Sequence, residues 1–167
     1  MKKLAVVTLG LLLTISAAGC AQTGNAAETQ GIAAEQTKAV ETAKEEEQLK
    51  LYFNGIEFVM TWEDNAAVRE LRNRLADGPI TVTTHGYGGW EQVGSLGFTL
   101  PTEDTYLNAH SGDVVLYCGS QIVLFYGNNG WDYTPLGHIQ GRSTEELKQI
   151  MESSKNTVVL SVENPEI

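Results

Sequence analysis

Three histidines, His85, His110 and His138, are the side chains most suited to metal or proton chemistry, and no two stand at ligand spacing. A zinc site needs several donors converging on one point, so no metal is expected. Ser95, in Gly94-Ser95-Leu96-Gly97, misses the G-x-S-x-G pattern that exposes a nucleophile on a strained turn. Gly86-Tyr87-Gly88-Gly89 lacks the Lys-Ser/Thr pair of a phosphate loop and reads as a turn. Asp104 and Asp113 could pair as acid and base, although Gly112-Asp113 before a strand equally suits a turn cap. The aromatic residues carry more promise. Tyr87, Trp90, Trp131 and Tyr133 sit in or beside Gly-rich segments, and loop aromatics at a barrel mouth make ligand contacts. Together with Phe98 and Tyr126 they form a candidate cleft for a peptide or small ligand, with plain packing as the alternative. No cofactor is expected.

The elements that must position these residues are mostly strands. Gln48 to Phe53 and Ile56 to Trp62 flank Asn54-Gly55, a strong hairpin signal because both central residues accept positive φ. A helix is predicted from near Asp64, with Val68, Leu71 and Leu75 on one face and Gly78-Pro79 as its stop. Further strands are predicted at Ile80–Thr84, Ser95–Leu100, Asp113–Cys118, Gln121–Tyr126, Leu136–Gln140 and Thr157–Val162. Ser143, followed by Glu146, forms a capping box that opens a second short helix. Short strands with Gly-rich turns and only two helices favour a mainly β fold, a closed eight-stranded antiparallel barrel, over alternating βαβ units.

The rest of the chain reads as an address. Lys2 and Lys3 precede an apolar run from Leu4 to Ile15. This run is shorter than the roughly 20 residues a membrane span requires, and it suits the core of a secretory signal. The small residues Ser16 to Gly19 and then Cys20 resemble a bacterial lipoprotein signal. The resemblance implies removal of 1–19 and a lipid on Cys20, leaving the protein membrane-anchored in the cell envelope and facing outside the cytoplasm. Residues 20–47 are rich in Ala, Glu, Gln and Thr, without aromatics, and are expected to form a flexible tether. The folded domain is expected over 48–163, with a short tail at 164–167. Lipidation of Cys20 would leave Cys118 without a disulfide partner, and its apolar surroundings suggest a small buried hydrophobe. With Lys+Arg 11 against Asp+Glu 21 and a formal net charge of -10, the chain is not suited to nucleic acid, which needs clustered cations.

From residue 88 the chain reads GGWEQVGSLGFTLPTEDTY, then from 110 HSGDVVLYCGSQIVLFYG, then from 133 YTPLGHI. With Trp62-Glu63-Asp64-Asn65 before a helix, this order of motifs resembles the bacterial cyclophilin-like domain family over nearly all of Gln48 to Val162. The resemblance implies a small barrel of cyclophilin topology. It also raises the activity of true cyclophilins, prolyl cis-trans isomerisation by an arginine on a barrel strand. The four arginines, Arg69, Arg72, Arg74 and Arg142, all fall on or beside predicted helices. The leading expectation is therefore a binding module, with a peptidyl-prolyl isomerase acting on exported proteins as the alternative.

Overall fold

Asn54 and Gly55 both take positive φ, 50° and 81°, and so turn β1 (Lys50–Phe53) tightly into β2 (Ile56–Phe58). After the single residue Val59, the chain continues as β3 (Met60–Trp62). These and the following elements come from a computed structural model that describes residues 48–152 and 156–162. The signal peptide expected at 1–19, Cys20, the tether at 20–47 and the tail at 164–167 lie outside the described residues.

Helix α1 (Ala66–Leu75) starts where the Asn65 side chain accepts the Val68 N–H at 3.0 Å. Its buried stripe is Ala67, Val68, Leu71 and Leu75. The strands β4 (Ile80–Tyr87), β5 (Glu91–Ser95), β6 (Thr105–Ala109), β7 (Asp113–Tyr117), β8 (Gln121–Phe125) and β9 (Asn129–Ile139) follow. Helix α2 (Thr144–Met151) opens with the Ser143/Glu146 capping box, and β10 (Asn156–Ser161) closes the described chain.

The strand order is β2-β1-β10-β4-β5-β8-β7-β9-β3, all antiparallel, with β6 added on β9. Because β2 and β3 form one stretch bent at Val59, they join the two ends of this order. Counted as one bent strand, they make eight positions around a nearly closed barrel. The bend is held by Gln140, whose N–H donates to the Val59 carbonyl at 2.7 Å. Trp62 Nε1 donates to the Leu49 carbonyl at 2.7 Å beside it.

Side chains alternate across each strand, so every strand has an inner and an outer set. The inner set packs with both helices into the main core, through Leu51, Phe53, Val82, Val114, Leu116, Ile122, Leu124, Leu136, Val158 and Leu160. Burying each such apolar side chain contributes roughly 1.5–3 kcal/mol. Gln92 points inward too, and its Nε2 donates to the Met151 carbonyl at 2.7 Å, tying the end of α2 to β5. An outer set, Val93, Val115, Val123, Phe125, Ala109 and Tyr133, forms a second buried cluster on the opposite face. Every member of both clusters lies within the compact unit Thr42–Ile167.

Four local expectations are corrected. The strand expected at Ser95–Leu100 lies earlier, at Glu91–Ser95; Leu96 and Leu100 leave the sheet and donate instead to the carbonyls of Ser120 and Gly119. Strand β6 is additional to the expected strands; most of it is exposed, so it carries no strong apolar alternation. Strand β9 runs 11 residues rather than only its last few, and β4 runs on through Tyr87, taking half of the expected Gly-rich loop. Cys118 is exposed rather than buried, at φ 50° in the turn between β7 and β8.

Candidate functional site

Five neighbouring strands present their outer side chains to one groove of about 550 Å³. Strand β4 supplies His85 and Tyr87, β5 supplies Glu91 and Val93, and β8 supplies Gln121 and Val123. Tyr117 comes from β7, and Asn129, Trp131 and Tyr133 come from β9 at alternate positions. Trp90 enters from the β4–β5 turn, where its carbonyl accepts the N–H groups of Tyr126 and Gly127, both at 2.9 Å. Tyr87 and Trp131 remain 62% and 57% exposed, so they stand as walls rather than as core.

Tyr133 forms the floor. Its ring meets Tyr117 edge-on at 6.0 Å and Phe125 at 5.7 Å. A bulge in the β7–β9 pairing between Val114 and Val115 lets β9 place Tyr133 outward and still turn Leu136 and Ile139 into the main core.

Glu91 is the unusual member. It is 5% exposed, and its Oε2 has no hydrogen-bond partner among the described residues. In register it stands between Tyr87 on β4 and Phe125 on β8. Burial pushes its carboxyl up from the ordinary 4.5 to about 7, and Asn129 beside it draws the value partly back. The carboxyl also raises the hydroxyl of Tyr133, after the larger effect of that residue's own burial.

Of the residues expected in a cleft, Tyr87, Trp90, Trp131 and Tyr133 come together in this groove. Phe98 and Tyr126 do not. Phe98 lies in a separate recess beside α1, with the Arg74 guanidinium 4.7 Å over its ring. Tyr126 is buried with the main core, 4% exposed. Sequence reasoning passes over Glu91, because it expects the strand at Ser95–Leu100 rather than at Glu91–Ser95. Counting two residues at a time back from Val93, after the Gly88-Gly89 turn, would have set it beside Tyr87.

The other candidates have ordinary partners. Asp113 accepts the His110 N–H at 2.8 Å and pairs with His138 Nδ1 at 2.7 Å. Asp104 accepts the Thr134 hydroxyl at 2.5 Å, and Ser95 accepts the Gly97 N–H at 3.2 Å. No cluster of His, Cys, Asp and Glu suited to a metal occurs among the described residues. Arg69, Arg72 and Arg74 lie on α1 and Arg142 precedes α2, so no arginine lines the groove. No helix among the described residues is long and apolar enough to cross a membrane.

Comparison with known proteins bears on the fold. The family described as the cyclophilin-like family matches residues 51–163. The solution structure of the hypothetical protein AF2241 from Archaeoglobus fulgidus is similar, with a TM-score of 0.51 and 20% identity over 69% of this chain and 93% of that one. The structure of McbB in complex with tryptophan aligns with a TM-score of 0.50 and 13% identity, over 72% of this chain and 46% of that one. No curated protein matches the chain.

Proposed function

The chain belongs to the cyclophilin-like family, and from that footing we propose that its barrel is a binding module whose outer-face groove holds a peptide or small ligand. One observation carries this reading: a groove of about 550 Å³ whose aromatic walls stay open while its floor is buried. That size falls in the usual range for small-ligand sites, roughly 300–1,000 Å³. The leader supports a second part of the proposal, that a lipid on Cys20 holds the module on the outer side of a membrane.

The test is an NMR titration of the chain from residue 42 onward against a set of peptides and small molecules. Bound members shift resonances on β4, β5 and β9, and Trp90→Ala or Trp131→Ala weakens them without unfolding the domain. Hits that shift only other surfaces, or normal binding by both variants, would place the site elsewhere. An Ala-Pro peptide belongs in the set, because catalysed cis/trans exchange would establish the isomerase instead. For the anchor, Cys20→Ala should move the protein from the membrane fraction to the soluble one; unchanged membrane retention would refute lipidation at Cys20.

A further inference from the structure

Among the described residues, Glu91 is the only carboxylate side chain that is buried, and its unpartnered Oε2 belongs to a residue lining the groove. A buried acceptor left without a donor is costly, so such a group in a native fold asks for a partner that arrives from outside. The Asn129 side chain hydrogen-bonds the carboxyl, yet Oε2 is left without a donor. Neither Lys nor Arg lines the groove, and Asn129 divides its amide between this carboxyl and the Tyr133 hydroxyl at 3.0 Å, so no cationic donor reaches Glu91 from the groove itself. The same groove is lined by the rings of Tyr87, Trp90, Tyr117, Trp131 and Tyr133. Aromatic faces attract cations through their quadrupole, and a carboxylate makes its strongest hydrogen bonds with charged N–H donors. Two independent features of one groove thus select the same sign of charge.

We propose that the groove recognises an organic ammonium ion, with the amine N–H groups on the Glu91 carboxylate and the apolar stem against the Trp90 and Trp131 rings. This deepens the binding-module reading and rests on it. The competing chemistry is a neutral ligand that accepts a hydrogen bond from protonated Glu91, or one held by the aromatic walls alone.

Three probes of similar shape separate these cases: phenethylamine, phenethyl alcohol and hydrocinnamate. Each is titrated by NMR against the chain from residue 42 onward at about pH 8, where the amine is protonated and Glu91 is ionised. The amine should bind at least about tenfold more tightly than the alcohol, and hydrocinnamate should be rejected. Glu91→Gln, of the same shape, should abolish the preference for the amine over the alcohol. Phe-Ala amide with a free amino terminus, against its acetylated form, is titrated at about pH 7, where the terminus is mostly charged and about half of Glu91 is ionised, and identifies the source: preference for the free form assigns a peptide terminus, and its absence beside amine binding assigns a small amine. Alcohol binding as tight as amine binding overturns the ammonium inference and leaves the groove standing. Groove shifts with none of the probes overturn both. Should Glu91→Gln fail to fold, the amine-to-alcohol ratio on the unaltered chain still decides.

Discussion

Asn129 donates its side-chain amide to the Tyr133 hydroxyl at 3.0 Å, four residues along β9, and lies beside the buried Glu91 carboxyl. One amide therefore orients the groove floor and moderates the acid next to it. Asn129→Leu keeps approximate volume and removes both effects. Glu91 should then titrate at a higher pH than in the unaltered protein, as read from its side-chain carboxyl carbon by NMR. An unchanged or lowered titration point would show that Asn129 does not act on Glu91.

The raised Glu91 pKa makes stability fall with rising pH. The folded state holds the Glu91 proton up to about pH 7, while the unfolded chain loses it near 4.5. Stability contributed by this group is thus full below about 4.5 and is lost as pH rises to about 7, by on the order of 3 kcal/mol. The titratable groups facing it are His85 and Tyr87 on β4, Tyr117 on β7, Tyr126 after β8 and Tyr133 on β9. All are retained in Glu91→Gln, so the difference between the two proteins isolates Glu91. Urea unfolding across this range should show Glu91→Gln gaining on the unaltered protein as pH rises, and parallel curves would contradict the assignment.

Gly94 lets β5 lie close on β4. A Cβ there would stand 2.5 Å from Val82 Cγ1 and 2.8 Å from the Thr83 carbonyl oxygen. Gly94→Ala should cost about 1–3 kcal/mol, the usual range for an overpacked site. Because β5 carries Glu91 and Val93, the same substitution should shift groove resonances as well. A variant as stable as the original, with an unchanged spectrum, would mean that the strands separate more easily than this packing allows.

Cys118-Gly119 repeats the backbone of Asn54-Gly55, with φ of 50° and 68° against 50° and 81°. Asn tolerates this region better than Cys, and the side chain is exposed, so no packing is lost. Cys118→Asn should raise stability by about 0.5 kcal/mol in thermal or urea unfolding. A loss of stability would show that the Cys118 side chain has a role at this turn.

Much of the barrel could be read from residues whose chemistry is local. Asn54-Gly55 announced its turn, Ser143 and Glu146 their helix start, and the β7–β8 apolar runs their pairing. Strand β6 and the front of β9 were invisible because they pair with each other while half exposed, which leaves no apolar rhythm. The cleft aromatics divided for a related reason. Trp90 and Trp131 stand out by type, but whether Phe98 meets the groove or α1 depends on where β5 ends, which is a tertiary fact. Nothing in its local sequence sets Glu91 apart, and only the walls supplied by four other strands bury it.

The two sides of the β4-β5-β8-β7-β9 sheet share a backbone and divide its side chains between them. Folding draws chiefly on the inward set, while Tyr87 and Trp131 are spent on the open side. Selection can therefore exchange these rim residues with little risk to the scaffold. Such a barrel is evolvable: descendants of one fold can take up new ligands by small steps, each remaining a folded protein.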